Sequence, residues 1–168
     1  MSVQTHAASA PFTLRRADAG DADAIASVYY NSERSLTFVP MFHTLAEYRR
    51  NIADAVLRQC EVTVAEDASG VVAFLARRSG DIPLLYVRPD RVGMGAGTQL
   101  IEAAKASELV ALELWCLQAN ERARRFYEAR GFVAIRFTDG AHNKARMPDI
   151  RYRWEPPWAL YFLIAAHV

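Results

Sequence analysis

Three glycines at alternate positions, Gly93, Gly95 and Gly97, join a strand-like run to a helix-like one. Leu85-Tyr86-Val87 is apolar and ends at Arg88-Pro89, and a helical pattern begins at Thr98. Glycine lets the backbone take conformations closed to other residues and lets a bulky ligand approach without a Cβ in the way. The helix start adds unpaired N–H groups with partial positive charge behind them. Together these make a seat for phosphate or pyrophosphate.

Two common phosphate loops are excluded by spacing. A P-loop ends in Gly-Lys-Ser/Thr, whereas Gly97-Thr98-Gln99 has no lysine. A dinucleotide fingerprint needs a third glycine three residues after the second. Counted from Gly95 that position is Thr98, and counted from Gly97 it is Leu100.

A second segment lies downstream. Leu112-Glu113-Leu114-Trp115-Cys116-Leu117 reads as a buried strand. Asn120 follows as an N-cap, Ala123, Phe126, Tyr127 and Arg130 recur at helical spacing, and Gly131 is placed to stop the helix.

The two segments together resemble the cofactor site of the GNAT superfamily of N-acetyltransferases. The first resembles its Arg/Gln-x-x-Gly-x-Gly/Ala loop, and the second its Asn-x-x-Ala-x-x-Phe-Tyr-x-x-x-Gly-Phe run. The order and the spacing are the family's. Two positions depart: Val92 stands at the Arg/Gln position, with Arg91 one place earlier, and Met94 replaces a common basic residue.

The resemblance implies a fold, an activity and a set of roles. The fold is α+β: a mostly antiparallel twisted sheet of six to seven strands with a V-shaped splay, flanked by about four helices. The activity is transfer of an acetyl group from acetyl-CoA to a primary amine of a small molecule or peptide, by direct attack in a ternary complex. The alternative is a non-catalytic acyl-CoA-binding module on the same fold. Coenzyme A would lie against Leu85, Tyr86, Val87, Val92, Gly93, Met94, Gly95, Ala96, Gly97, Thr98, Asn120, Ala123 and Phe126. Tyr127 would protonate the departing thiolate, and Asn120 would bond the pantetheine arm. Packing and capping, respectively, are the other roles open to these two residues.

Chemistry sets the remaining demands. An alkylammonium, with a pKa near about 10.4, must lose a proton before it attacks. Asp81, at the start of the strand lining the slot, and Glu113, on the same strand face as Trp115, are the carboxylates for that task. Each has a plain alternative, as a turn residue and a sheet-surface charge. A backbone N–H of the Leu85–Val87 strand would polarise the thioester carbonyl. The resemblance also implies that the acceptor lies between 31–43 and 139–149, with Phe38, Met41, Phe42, His43 and Arg146 as its contacts; His43 could equally cap a helix.

Composition supports one globular domain. The chain has 168 residues, 52% of them hydrophobic and 23% charged, and a net charge of +1. That balance gives no general attraction to nucleic acid or to an anionic membrane. Cys60 and Cys116 form no disulfide framework, which suits a reducing, cytoplasmic setting. The four histidines are isolated, so no metal is expected.

Residues 1–11 read as a flexible tail, 12–155 as the acetyltransferase domain, and 156–168 as an apolar extension. Each large side chain of that extension would gain about 1.5–3 kcal/mol by burial. The extension is therefore expected to pack on the domain or on a second subunit, consistent with a homodimer. Strands are expected at 12–16, 61–66, 71–78, 82–87, 110–117, 132–137 and 150–154. Helices are expected from Asp21, from a Thr44/Glu47 capping box to about Arg58, from the glycine loop to Ser107, and around Tyr127. Residues 31–43 are expected to be irregular.

Overall fold

The computed structural model describes residues 12–107 and 110–157. Residues 1–11 and most of the 156–168 extension lie outside the described residues. Seven strands form one sheet: β1 (Thr13–Arg16), β2 (Glu61–Asp67), β3 (Gly70–Arg78), β4 (Asp81–Val87), β5 (Leu112–Leu117), β6 (Val133–Thr138) and β7 (Asp149–Trp154). Their order is β1-β2-β3-β4-β5-β7-β6, and every pairing is antiparallel except β4 with β5. The helices are α1 (Ala22–Arg34), α2 (Leu45–Asn51), α3 (Leu57–Gln59), α4 (Ala96–Ser107) and α5 (Glu121–Glu128). A π-helical segment, Ile52–Val56, joins α2 to α3.

Helices cover both faces of the sheet. Along β3 the residues from Val72 to Ala76 are all buried, as expected of a strand covered on both sides. Ala73 and Leu75 pack with Leu100 and Ile101 of α4, while Phe74 and Ala76 pack with Ile25 and Val28 of α1 and Ile52 beyond α2. Each face therefore has its own apolar cluster, and the sheet separates them.

Local chemistry fixes most element ends. Thr44 and Glu47 form the reciprocal capping box that starts α2. The turn from Asp67 to Gly70 closes the β2–β3 hairpin: Asp67 accepts from the Ser69 amide at 2.7 Å, and Gly70 takes φ 97°. Gly131, at φ 79°, ends the helix that carries Tyr127.

Two stretches differ from expectation. Residues 31–34 are helical, because Ser32 returns its hydroxyl to Val28 O at 2.6 Å and also reaches Val87 O at 2.8 Å, which holds the end of α1 against β4. The second expected helix is interrupted by the π segment and is not α-helical throughout. Strand ends shift by one or two residues, within the ordinary spread of such boundaries.

The feature that shapes the site is the junction of β4 and β5. The two strands share a single register pair, Asp81 with Glu113, after which they diverge. Gly80 makes that approach possible, since a Cβ there would stand 2.8 Å from Ala111 O. Beyond the junction one edge of β4 has no strand beside it. Arg88 N–H bonds Val72 O of β3 at 2.7 Å, so by alternation the Leu85 and Val87 amides point the other way, into the gap.

Among the described residues no helix is long and apolar enough to cross a membrane. No group of three or more His, Cys, Asp or Glu among them could hold a metal ion.

Candidate active site

The gap between β4 and β5 opens into a cavity of about 510 Å³. It passes through the sheet: Phe126 and Tyr127, of the α4/α5 cluster, line it together with Tyr86, which packs with the α1/α2 cluster.

On the α4/α5 side the glycine loop forms the rim. Arg91 anchors it, with Nε 2.7 Å from Asp67 and Nη1 2.7 Å from Asp90. Gly93 and Gly95 take φ of 83° and 97°, in the left-handed region, with open space where a Cβ would stand. A non-glycine residue there would strain the backbone and fill the cradle. Gly97 serves a different purpose: a Cβ would meet Val87 Cγ2 at 3.3 Å and Phe126 Cζ at 3.5 Å, so it lets α4 sit close to the slot. The first N–H groups of α4 have no partner within their own helix.

Arg130 completes this rim. Its guanidinium lies 3.8 Å from the centre of the Phe126 ring, donates to Phe126 O at 2.8 Å, and donates to the Thr98 hydroxyl. Its Nε is buried and unpartnered. A helix N-terminus, two open glycines and an orphan guanidinium donor fit a diphosphate, and the Leu85 and Val87 amides, with no strand beside them, fit an amide-containing arm. The residues present thus fit coenzyme A.

Tyr127 is buried at the inner wall, against Phe132 and Tyr152. No hydrogen bond engages its hydroxyl among the described residues. Burial foremost, then the neighbouring Cys116, raises it well above the ordinary tyrosine value, so it remains a phenol. The Cys116 thiol, also buried, is pushed up to about 12 and stays protonated. Asn120 caps α5 by accepting from Ala123 N–H at 3.1 Å, and it also lines the cavity.

Of the expected coenzyme contacts, Leu85, Tyr86, Val87, Val92, Gly93, Gly95, Ala96, Gly97, Thr98, Asn120, Ala123 and Phe126 line the cavity. Met94 does not; it is 55% exposed. Asp81 and Glu113 stand at the β4–β5 junction outside the lining. Arg151 reaches Asp81 at 2.8 Å and Glu113 at 2.7 Å, and Arg153 reaches Glu113 at 2.7 Å. The Arg151 hydrogen bond, more than any other influence, holds Glu113 below the usual carboxylate range, which makes it a weak base. The position of these two residues gives the general-base expectation no support.

The expected acceptor contacts also lie elsewhere. Phe38, Met41, Phe42, His43 and Arg146 do not line the cavity, although Leu36, Val39 and Ala145 beside them do. His43 sits at the start of α2, 3.9 Å from Glu47. Arg146 donates to Ala141 O at 2.9 Å and so closes the 139–149 loop.

Sequence reasoning missed several residues of the lining, notably Glu33, Trp115, Cys116 and Arg130. Arg130 had a signal: it stands four residues after Phe126, one turn on and just past the end of α5, so it lies over that ring. Glu33 had a similar one, four residues after Tyr29 on the face of α1 that carries Ile25.

Comparison with known proteins agrees with this architecture. The family description "Acetyltransferase (GNAT) domain" matches residues 58–134. An uncharacterized N-acetyltransferase of Archaeoglobus fulgidus is 32% identical over 134 residues, spanning 70% of this chain and 90% of that protein. Among solved structures, a GCN5-related N-acetyltransferase from Rhodopseudomonas palustris superposes with a TM-score of 0.70 at 24% identity, covering 88% of this chain and 96% of that one. A protein from Salmonella typhimurium, yncA, solved with its cofactor acetyl-CoA, gives a TM-score of 0.65 at 18% identity, covering 86% and 93%. These likenesses define the class of fold, a mixed sheet splayed around a ligand slot. The chain belongs to the GNAT superfamily of N-acetyltransferases.

Proposed function

We propose that this chain is an acetyl-CoA-dependent N-acetyltransferase that acetylates a primary amine of a small molecule or peptide by direct attack. One observation carries the reading: a single cavity is lined by the α4 N-terminus, the open edge of β4 and Tyr127, whose hydroxyl has no protein partner among the described residues.

Main-chain amides from Gly93 to Thr98, with Arg130, hold the diphosphate. The Leu85 and Val87 amides and the Asn120 side chain hold the pantetheine arm. Bound acetyl-CoA supplies an activated acyl thioester. A β4 amide hydrogen-bonds the thioester oxygen, where charge builds as the amine attacks. Tyr127 keeps its proton in the buried wall and delivers it to the departing sulfur. Its raised pKa favours this role, since the phenol is intact across the physiological range.

The test is thiol release from acetyl-CoA with a panel of amines, wild type beside Tyr127→Phe. The variant should lose about 10²–10⁴-fold in kcat, while the acetyl-CoA Kd moves by less than about threefold. Equal kcat for the two proteins would remove Tyr127 from the reaction. Tight coenzyme A binding with no turnover of any amine would favour the acyl-CoA-binding module instead.

A further inference from the structure

The far mouth of the cavity, on the α1/α2 face, holds a carboxylate that the reaction above has not used. Glu33, near the end of α1, lines the cavity. Both its oxygens accept from phenols: Oε1 from Tyr86 at 3.1 Å, and Oε2 from Tyr48. The Tyr29 ring stands 4.4 Å from Tyr86 and 4.6 Å from Tyr48, which makes an aromatic wall around the carboxylate. Burial foremost, with Glu33 adding to it, raises all three tyrosines far above their ordinary value, so they stay neutral donors. Phenols fix the orientation of the carboxylate without cancelling its charge.

Among the described residues no cation pairs with Glu33. The basic groups nearby are engaged elsewhere: Arg34 over Tyr30 at 5.4 Å, Arg49 with Asp23 at 3.2 Å, and His43 with Glu47. A partly buried charge without a counter-ion is unfavourable even when it is hydrogen-bonded. Its complement is a cation, and electron-rich ring faces favour the same charge. Leu36 and Val39 line the cavity beside it and offer apolar surface to a short stem.

We propose that the acceptor enters as a primary alkylammonium with an apolar stem, that Glu33 captures its ammonium group, and that Glu33 then takes the proton that frees the nitrogen lone pair. This rests on the acetyltransferase reading. The ammonium N–H bond breaks and its proton passes to a Glu33 oxygen. The C–N bond forms, and the C–S bond breaks as sulfur takes the Tyr127 proton. The second nitrogen proton restores Tyr127, and Glu33 releases its own to solvent. One proton leaves per turnover, as conversion of an ammonium and a thioester to an amide and a thiol requires.

Benzylammonium and benzyl alcohol share a stem and differ in charge. Each is titrated by calorimetry into the full-length protein, with and without coenzyme A, for wild type, Glu33→Gln and Tyr48→Phe. Wild type should bind benzylammonium at least about tenfold more tightly than the alcohol. Glu33→Gln should abolish that preference and leave coenzyme A affinity and melting temperature close to wild type. Tyr48→Phe keeps the charge and should keep a reduced preference, which guards against a folding defect in the first variant. In turnover, Glu33→Gln should slow benzylamine far more than aniline, which is already neutral and needs no proton removed before it attacks. No ammonium preference in wild type, or an undiminished one in Glu33→Gln, overturns the proposal. Absence of coenzyme A binding strikes the acetyltransferase reading separately, because the ammonium titration is also run without coenzyme.

Discussion

The two mouths of the cavity are built by different means. The mouth we assign to the coenzyme is made from two continuous segments, 91–98 and 120–131, in which backbone geometry does most of the work. Gly93, Gly95 and Gly131 have positive φ, Asn120 caps α5, and the N-terminus of α4 opens onto the slot. The mouth we assign to the acceptor joins α1, α2 and β4 through ordinary side chains: Glu33, Tyr48 and Tyr86. A backbone-coded site is specified locally and tolerates side-chain change. A site assembled from distant side chains depends on packing and can be retuned by single substitutions.

The sharpest way to break this comparison is Arg130, the side chain on which the coenzyme mouth most depends. Val92 leaves the loop without a basic residue at that position, and Arg130 brings a cation to the same rim from the end of α5. Replacing it with methionine removes charge-assisted hydrogen bonds worth about 1.5–3 kcal/mol. The Kd for acetyl-CoA should rise about 10–100-fold, and the gap from wild type should narrow as salt is added. The KM for the amine should stay near wild type. An unchanged Kd would mean that main-chain amides alone seat the phosphates, and the contrast between the mouths would be complete.

The next test concerns the hinge between the mouths. Glu113 bridges Arg151 and Arg153 and stands where β4 and β5 part. Glu113→Gln should cost about 1–3 kcal/mol, because two guanidinium groups lose a charged partner. The folded-state pKa of Glu113 lies below its ordinary 4.5. Its contribution is therefore complete above about pH 4.5 and disappears as pH falls through the lower folded value. Urea midpoints for wild type and variant should differ at neutral pH and converge in acid. A variant of full stability that has lost turnover would return Glu113 to the candidate bases.

The record of what could be read from sequence follows the same division. The Thr44/Glu47 box and the stop at Gly131 are contiguous signals, and each appears where its residues stand. The mixed sheet and its antiparallel bias were also legible. Glu113 and Trp115 do share a strand face, but their partners, Arg153 and Arg151, lie on β7 some forty residues away, and no local signal names them. The end of α1 has no local signal: Asn31 and Ser32 favour helix ends, while here Ser32 is fixed by a bond to Val87, 55 residues away. Met41 and Phe42 suggested an acceptor site by their apolarity, yet they are exposed, and the cavity takes Leu36 and Val39.

The smallest expected effect probes the acceptor mouth through its one contiguous signal. Thr44 begins α2, and Tyr48, one turn later, carries the hydroxyl that bonds Glu33. The Thr44 amide and hydroxyl reach Glu47 at 2.7 and 2.9 Å. Thr44→Ala should cost about 1 kcal/mol, a fall of roughly 2–4 °C in Tm for a chain of this size. Acetyl-CoA affinity should be unaffected, because no residue of α2 lines the cavity. If benzylammonium binding weakens with it, Tyr48 depends on the helix start and the acceptor mouth is coupled to local stability. If only Tm moves, β4 and the α1 packing are enough to hold the carboxylate in place.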